Sequence, residues 1–241
     1  MVGKSREALE TLLATTGALD STRGASSNET FEPSGDESWL ENWLTYTERL
    51  DGHSLDLAFR LTWDELGGMH FLAGRVAPFL EAVGEAWADG RIDILHEHFT
   101  SERLRDFLVS KWRPLGDLAS GPKVLLSTLP GELHNLGLHM VSVVITLAGC
   151  RPTFLGPNMP PEEIAAAARR NDCRSVLISI SSAYDNRQSI RELRALREEL
   201  DDDIRLVVGG SGDPGDIPDT VHIQDLEKLY DWACQLRAGR N

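Results

Sequence analysis

From Gly121-Pro122 to the C-terminus, short apolar runs alternate with stretches of helical period, and this restricts the fold more than any other feature of the chain. The runs Val124–Leu129, Thr153–Gly156, Ser175–Ser181 and Ile204–Val208 have strand length, and Thr220–Ile223 reads as a fifth strand at an edge. Helical stretches at about 136–149, 161–171, 187–200 and 225–237 separate them. Strands apolar on both faces and joined by helices imply a parallel sheet covered on both sides. Five of them predict an α/β domain over residues 120–241 in the flavodoxin-like (Rossmann-like) order 2-1-3-4-5, with ligands bound beyond the carboxyl ends of the strands.

The preceding segment follows a different period. Ser38 with Glu41 is a capping-box signature opening a helix that contains Trp39, Leu40, Trp43 and Leu44, and Asp51-Gly52 ends it. A second helix is expected over 54–66. A third runs over 69–88 with a kink at Pro78, and a fourth over 92–112 follows the Asp89-Gly90 turn. Short connections between helices of this length predict an all-α four-helix bundle over residues 37–115. Before it, residues 5–16 suit a short helix, and the Gly-, Ser-, Thr- and Asn-rich residues 17–36 read as a flexible linker.

A formal net charge of −14, with 24 basic residues against 38 acidic ones, leaves little room for the basic surface that nucleic acid requires. No apolar run approaches the ~20 residues that span a bilayer. Met1 to Ser5 are not followed by the apolar stretch of a secretory signal, so a cytoplasmic protein without a membrane partner is expected. Cys150, Cys173 and Cys234 are widely spaced, form no C-x-x-C pair, and read as small buried hydrophobes in a reducing compartment.

Two patterns carry chemistry. The loop after the first strand reads Pro130-Gly131-Glu132-Leu133-His134-Asn135-Leu136-Gly137. His134 can present one ring nitrogen to a metal while Glu132 accepts the proton of the other, which sets the tautomer and raises ligand basicity. Gly137 would let a bulky ligand approach the backbone. The plainer reading is a surface histidine capping a helix. In the bundle, Trp87 is followed by nine residues and then Glu97-His98. A short turn between antiparallel helices would bring these three side chains to neighbouring levels of one face. The plainer reading there is a core tryptophan beside a satisfied core histidine.

Taken together and in this order, the patterns resemble the cobalamin-binding modules of the B12-dependent photoreceptors, without the MerR-type DNA-binding domain. The resemblance covers residues 53–237 and includes VGEAWADGRIDILHEHFTSERLRDFL, LPGELHNLGLHMVSVVITLAGCRPTFLGPNMPPEEI, VLISISS and LVVGGSG. It implies cobalamin, as adenosylcobalamin, bound with its dimethylbenzimidazole tail inserted in the α/β domain. His134 would be the lower axial ligand of cobalt and Glu132 its hydrogen-bond partner. It implies that Ser179 and Ser181 give hydroxyl contacts to the tail, and that Gly209 and Gly210 keep side chains out of the nucleotide's way. Trp87, Ile94, Glu97 and His98 would enclose the adenosyl group on the upper face, the bundle capping it. A visible photon breaks the cobalt–carbon bond in that family, and loss of the adenosyl group frees the bundle to shift.

Two departures qualify the resemblance. Residues 1–36 are too short and too polar for a winged helix-turn-helix, so direct DNA reading is not expected. Ala88 stands where the repressors place a histidine that captures cobalt after photolysis, so water or His98 are left as candidates for that position. The leading expectation is a photosensor, not an enzyme, that signals through a protein partner; a homo-oligomer is compatible with it. Alternatives are a corrinoid methyl carrier of a methyltransferase system, a two-chromophore receptor holding a bilin beside Trp39 and Trp43, and a cofactor-free interaction protein.

Overall fold

The computed structural model describes residues 38–239. The short helix and linker expected over residues 1–36 lie outside them. The helical part comprises α1 (Ser38–Glu48), α2 (Gly52–Leu66), α3 (Gly68–Phe71), a π-helical turn (Leu72–Val76), α4 (Ala77–Ala88) and α5 (Ile94–Leu118). Asp51 begins α2 by accepting hydrogen bonds from the Ser54 N–H and hydroxyl at 3.0 and 2.7 Å. Where the sequence predicts a kink at Pro78, the helix carries a π turn, in which the Ala77 N–H reaches back five residues to the Leu72 carbonyl. Its cause is Pro78, which cannot donate to the Gly74 carbonyl. Arg75 Nη1 takes that acceptor instead, at 3.0 Å. The fourth helix is longer than its period suggested. It continues through Pro114 to Leu118, because the carbonyl freed by a proline costs little on the exposed side at Ser110.

The α/β part contains β1 (Lys123–Ser127), α6 (Leu136–Leu147), β2 (Arg151–Gly156), α7 (Pro161–Arg170), β3 (Cys173–Ser179), α8 (Asn186–Glu199), β4 (Arg205–Gly209), β5 (Thr220–His222) and α9 (Leu226–Arg237). The strands lie in the order β2-β1-β3-β4-β5 and pair in parallel throughout, as the sequence predicts. Alternation along each strand sorts side chains between two cores. Val124, Leu126, Leu177 and Val207 face α6, α9 and the helical part, whereas Leu125, Val176, Ile178, Leu206 and Val208 face α7 and α8.

The first core is continuous with the interior of the bundle. There Trp43, Phe59, Phe71, Phe79 and Phe107 pack with ring centroids between 4.9 and 6.3 Å apart. Each such ring contributes roughly 1.5–3 kcal/mol of burial. Trp112 of α5 and His139 of α6 both stack on Phe154 of β2, with ring centroids 5.4 and 4.6 Å from it, and Trp112 Nε1 donates to His139 Nδ1 at 3.3 Å. Burial, then the charges of Arg105 and Arg113, lower the His139 pKa to about 4, so the ring is a neutral acceptor. The helical part is thereby seated on one face of the sheet, beside the strand ends.

Candidate functional site

The turn from β1 into α6 brings Glu132 and His134 to the carboxyl end of the sheet. Gly131 adopts a φ of 88°, and its N–H donates to Asn158 Oδ1 at 2.7 Å. The Thr128 hydroxyl donates to the Glu132 carbonyl at 2.6 Å and accepts the Asn158 N–H at 2.9 Å. These bonds turn the Glu132 side chain inward, where it is 2% exposed.

Its carboxylate is fully engaged there. Oε1 accepts the His134 ring Nδ1 at 2.6 Å and the His134 N–H at 2.9 Å. Oε2 accepts the Ser181 N–H at 2.9 Å and the Ser181 hydroxyl in a short bond. Burial alone would raise the Glu132 pKa, but the bonds from His134 and Ser181 outweigh it and hold the group below its ordinary value. An ionised Glu132 requires the proton on His134 Nδ1, which leaves the Nε2 lone pair outward on a side chain 38% exposed. Such a histidine can ligate a metal. Among the described residues no group of three or more His, Cys, Asp or Glu could hold a bare ion, so a metal at His134 must bring its other ligands with it.

Beside this loop a narrow apolar slot of about 40 Å³ separates the helical part from the sheet ends. Ala77 and Leu80 of α4 line one wall, and Gly137, Ser179, Gly209 and Gly210 the other. It adjoins an open cleft of about 440 Å³ between the Gly209–Pro214 segment and His222–Lys228. The glycines have different reasons to be there. A Cβ at Gly209 would lie 2.5 Å from the Ile223 carbonyl oxygen, and one at Gly210, whose φ is 97°, would strike the Ile180 carbonyl. Both are required by the chain's own packing, whatever binds. At Gly137, which lines the slot, a Cβ would make only an ordinary 3.5 Å contact with Ser179 Oγ, so the chain's own packing does not demand a glycine there. The cleft has the volume of a small organic group, whereas the slot would have to widen to admit one. The Ser181 hydroxyl belongs to Glu132 rather than to a tail, whereas Ser179 lines the slot.

Of Trp87, Ile94, Glu97 and His98, the last two do not share one face. Adjacent helical residues point about 100° apart. Glu97 is 5% exposed and accepts the Ser101 hydroxyl at 2.7 Å, while the His98 side chain is 69% exposed with Nδ1 3.6 Å from Glu97 Oε2. Trp87 packs half-buried against the shared core, Ile94 is 40% exposed, and Ala88 is exposed. His96 acts locally, since its Nδ1 accepts the Asp93 N–H at 2.9 Å and closes the capping box of α5. Trp43, considered beside Trp39 as a wall for a second chromophore, is buried edge-on among Trp39, Phe59 and Phe79.

Sequence reasoning missed Thr128, Asn158, Tyr184 and Gln188. Tyr184 Oη and Gln188 Nε2 both donate to the Pro130 carbonyl, at 2.7 and 2.8 Å. Asn158 has a φ of 62°, a backbone state for which asparagine is enriched, and its place after β2 in GPN is the signal that could have drawn notice.

Residues 122–225 match the B12 binding domain family. The HTH-type transcriptional repressor CarH of Myxococcus xanthus is 28% identical over 179 residues, 73% of this chain and 58% of CarH. The repressor CarA of the same organism is 30% identical over 103 residues, 43% of this chain and 32% of CarA. The chain therefore spans less than two thirds of the length of either relative. The monomethylamine corrinoid protein of Methanosarcina barkeri shares the fold at 12% identity with a TM-score of 0.63, covering 83% of this chain and 98% of that one. No helix among the described residues is long and apolar enough to cross a membrane. Residues 122–225 form a B12-binding domain with a charged Glu132 behind its histidine, and the chain is a cobalamin-binding protein.

Proposed function

We propose that this chain is a light sensor that holds adenosylcobalamin between its helical part and the ends of its sheet, and passes the signal to a protein partner. The observation that carries the reading is a buried carboxylate, Glu97, one turn into α5, in a W-x9-E-H phrase on the same chain as a preformed histidine loop. When bound, the cofactor supplies a cobalt–carbon bond that a visible photon can break.

The remaining roles belong to the chain's residues. Ser181 holds Glu132, Glu132 keeps the proton on His134 Nδ1, and Nε2 would hold cobalt from below. Gly137 and Ser179 would admit the nucleotide tail to the slot, with Gly209 and Gly210 shaping its floor. Above, the Trp87 indole would pack on the adenosyl group and Glu97 would accept its hydroxyl or amino hydrogens, with Ile94 and His98 at the rim. The helical part is the element that can respond, because Ala77 and Leu80 wall the slot immediately after the π turn.

The exposure of Ile94 and His98 favours a second reading, a corrinoid methyl carrier, in which the upper face need enclose nothing larger than a methyl group. Titration of wild type and Trp87→Ala with adenosylcobalamin and methylcobalamin separates the two. Loss of a buried aromatic anchor commonly costs about 2 kcal/mol, or roughly thirtyfold. That loss is expected for adenosylcobalamin only, together with a change in hydrodynamic radius on illumination. Equal losses for both cofactors, with no light-dependent change, would replace the sensor by the carrier.

A further inference from the structure

The His134 loop is gripped from outside by a second element. Asp185 caps α8 by accepting the Gln188 N–H at 2.8 Å, which puts Gln188 in the first turn facing the loop. From there Gln188 Nε2 donates to the Pro130 carbonyl at 2.8 Å, and Tyr184 Oη donates to the same oxygen at 2.7 Å. Both side chains also flank Gly131: Gln188 Nε2 and Tyr184 Cε2 lie 3.5 and 3.8 Å from where its Cβ would be. Burial, then the nearby charges of Glu192 and Glu132, raise the tyrosine pKa to about 12, so it remains a donor.

The same corner, residues 181–189, holds the loop a second time through the Ser181 bonds to Glu132. It also binds the segment that borders the open cleft. The Ser182 N–H donates to Ser211 Oγ at 2.9 Å, and the Ser189 hydroxyl to the Asp213 carbonyl at 3.2 Å. One short stretch of chain thus touches the histidine loop at Pro130 and Glu132 and also the wall of the cleft.

We infer that Tyr184 and Gln188 are positioning residues for His134: by fixing the Pro130 carbonyl they set where the ring presents Nε2. This rests on the cobalamin reading. A carbonyl held by two side-chain donors is over-determined for a surface loop, and the loop has no helix or strand of its own to hold it between β1 and α6. Without the two donors Pro130 and Gly131 would keep only the Asn158 side, and the histidine ring would sample positions off the cobalt axis.

The test uses the full chain with Tyr184→Phe, Gln188→Ala and the pair. Without cofactor, amide hydrogen exchange at Gly131, Glu132 and His134 is expected to quicken by about tenfold in the double variant while the strands stay unchanged. With cobalamin in the cobalt(II) form, the nitrogen splitting of the electron-resonance lines reports the axial ligand. Isotopic labelling of histidine distinguishes His134 from the cofactor's own base. The double variant is expected to bind cobalamin but to lose most of the histidine-derived splitting, with Tyr184→Phe intermediate. Unchanged splitting in the double variant overturns the inference, even where exchange has quickened, since the clamp would then be structural only. A wild-type protein with no histidine-derived splitting overturns the ligand reading and this inference with it. Should the double variant unfold, the Tyr184→Phe spectrum decides: reduced splitting supports positioning, and full splitting refutes it.

Discussion

The two halves of the candidate site are prepared to different degrees. Below, every polar atom of the Glu132 side chain is bonded, the tautomer of His134 is set, and Thr128, Asn158, Tyr184 and Gln188 hold the loop from outside. Above, Glu97 has a bond from Ser101, while Ile94 and His98 face outward. A metal ligand must hold its direction to a fraction of an ångström, which needs fixed hydrogen bonds. A surface that takes up and releases an organic group must change shape, and fewer fixed contacts leave it free to do so. On the proposed reading, the preorganised half is the one whose chemistry is constant, and the looser half would suit signalling.

The strongest challenge to that contrast is His134→Ala. The fold should survive, because the His134 side chain belongs to neither core. The absorbance changes that report histidine ligation should vanish, and cobalamin affinity should fall by roughly 10–100-fold, the range seen when metal-ligand shells are damaged. An unchanged spectrum would show that the lower half is not the ligand side.

The glycines sharpen the comparison next. Gly210→Ala places a methyl group against the Ile180 carbonyl at a positive φ and should destabilise the fold by about 2–3 kcal/mol in urea unfolding. Gly137→Ala lies in the first turn of α6, where alanine is the better helix former by up to about 1 kcal/mol, and should leave stability equal or higher. It should nonetheless weaken cobalamin uptake through the slot. If both variants lose stability alike, the distinction between packing glycine and ligand glycine fails.

The seam between the halves can be probed with acid. The folded His139 pKa is about 4 against an ordinary 6.5, so the unfolded chain takes up the proton first. Its stabilising contribution is therefore complete above pH 6.5 and is lost as pH falls towards 4, by up to about 3 kcal/mol. Glu132 acts in a lower window. Its pKa is lowered on folding, so its contribution holds above about 4.5 and is lost as pH falls through the folded value. Unfolding of wild type and His139→Phe at pH 7 and pH 5 should show a steeper loss in wild type. Parallel losses would mean that His139 is not buried neutral at the seam.

The smallest effect is expected at His98. With its ring 69% exposed, His98→Ala should change stability by less than about 0.5 kcal/mol and leave the illuminated spectrum with water, rather than histidine, on the upper face. A light product whose spectrum depends on His98 would show that α5 rotates or shifts to bring the ring in.

How much was legible in the sequence follows from the range of the forces involved. The placement of strands and helices and the pairing of Glu132 with His134 rest on short-range pattern (alternation, capping, and two residues in one loop), and the strand order followed from the usual arrangement of five such strands. The tertiary structure decided what depends on distant partners. Ser181 lies 47 residues beyond His134, and only the pairing of β1 with β3 brings its hydroxyl to Glu132. Gly209 and Gly210 look like clearance for a nucleotide until the Ile223 and Ile180 carbonyls are seen to occupy the space first. Spacing alone could not separate buried Glu97 from exposed His98, because which side of α5 faces inward is set by its contacts with the other helices and the sheet. The sequence by itself determined the layers and the Glu132–His134 loop, since periodicity and near neighbours are written along the chain. Burial, and the partner each polar group finds, were decided only when strands and helices far apart in sequence came into contact.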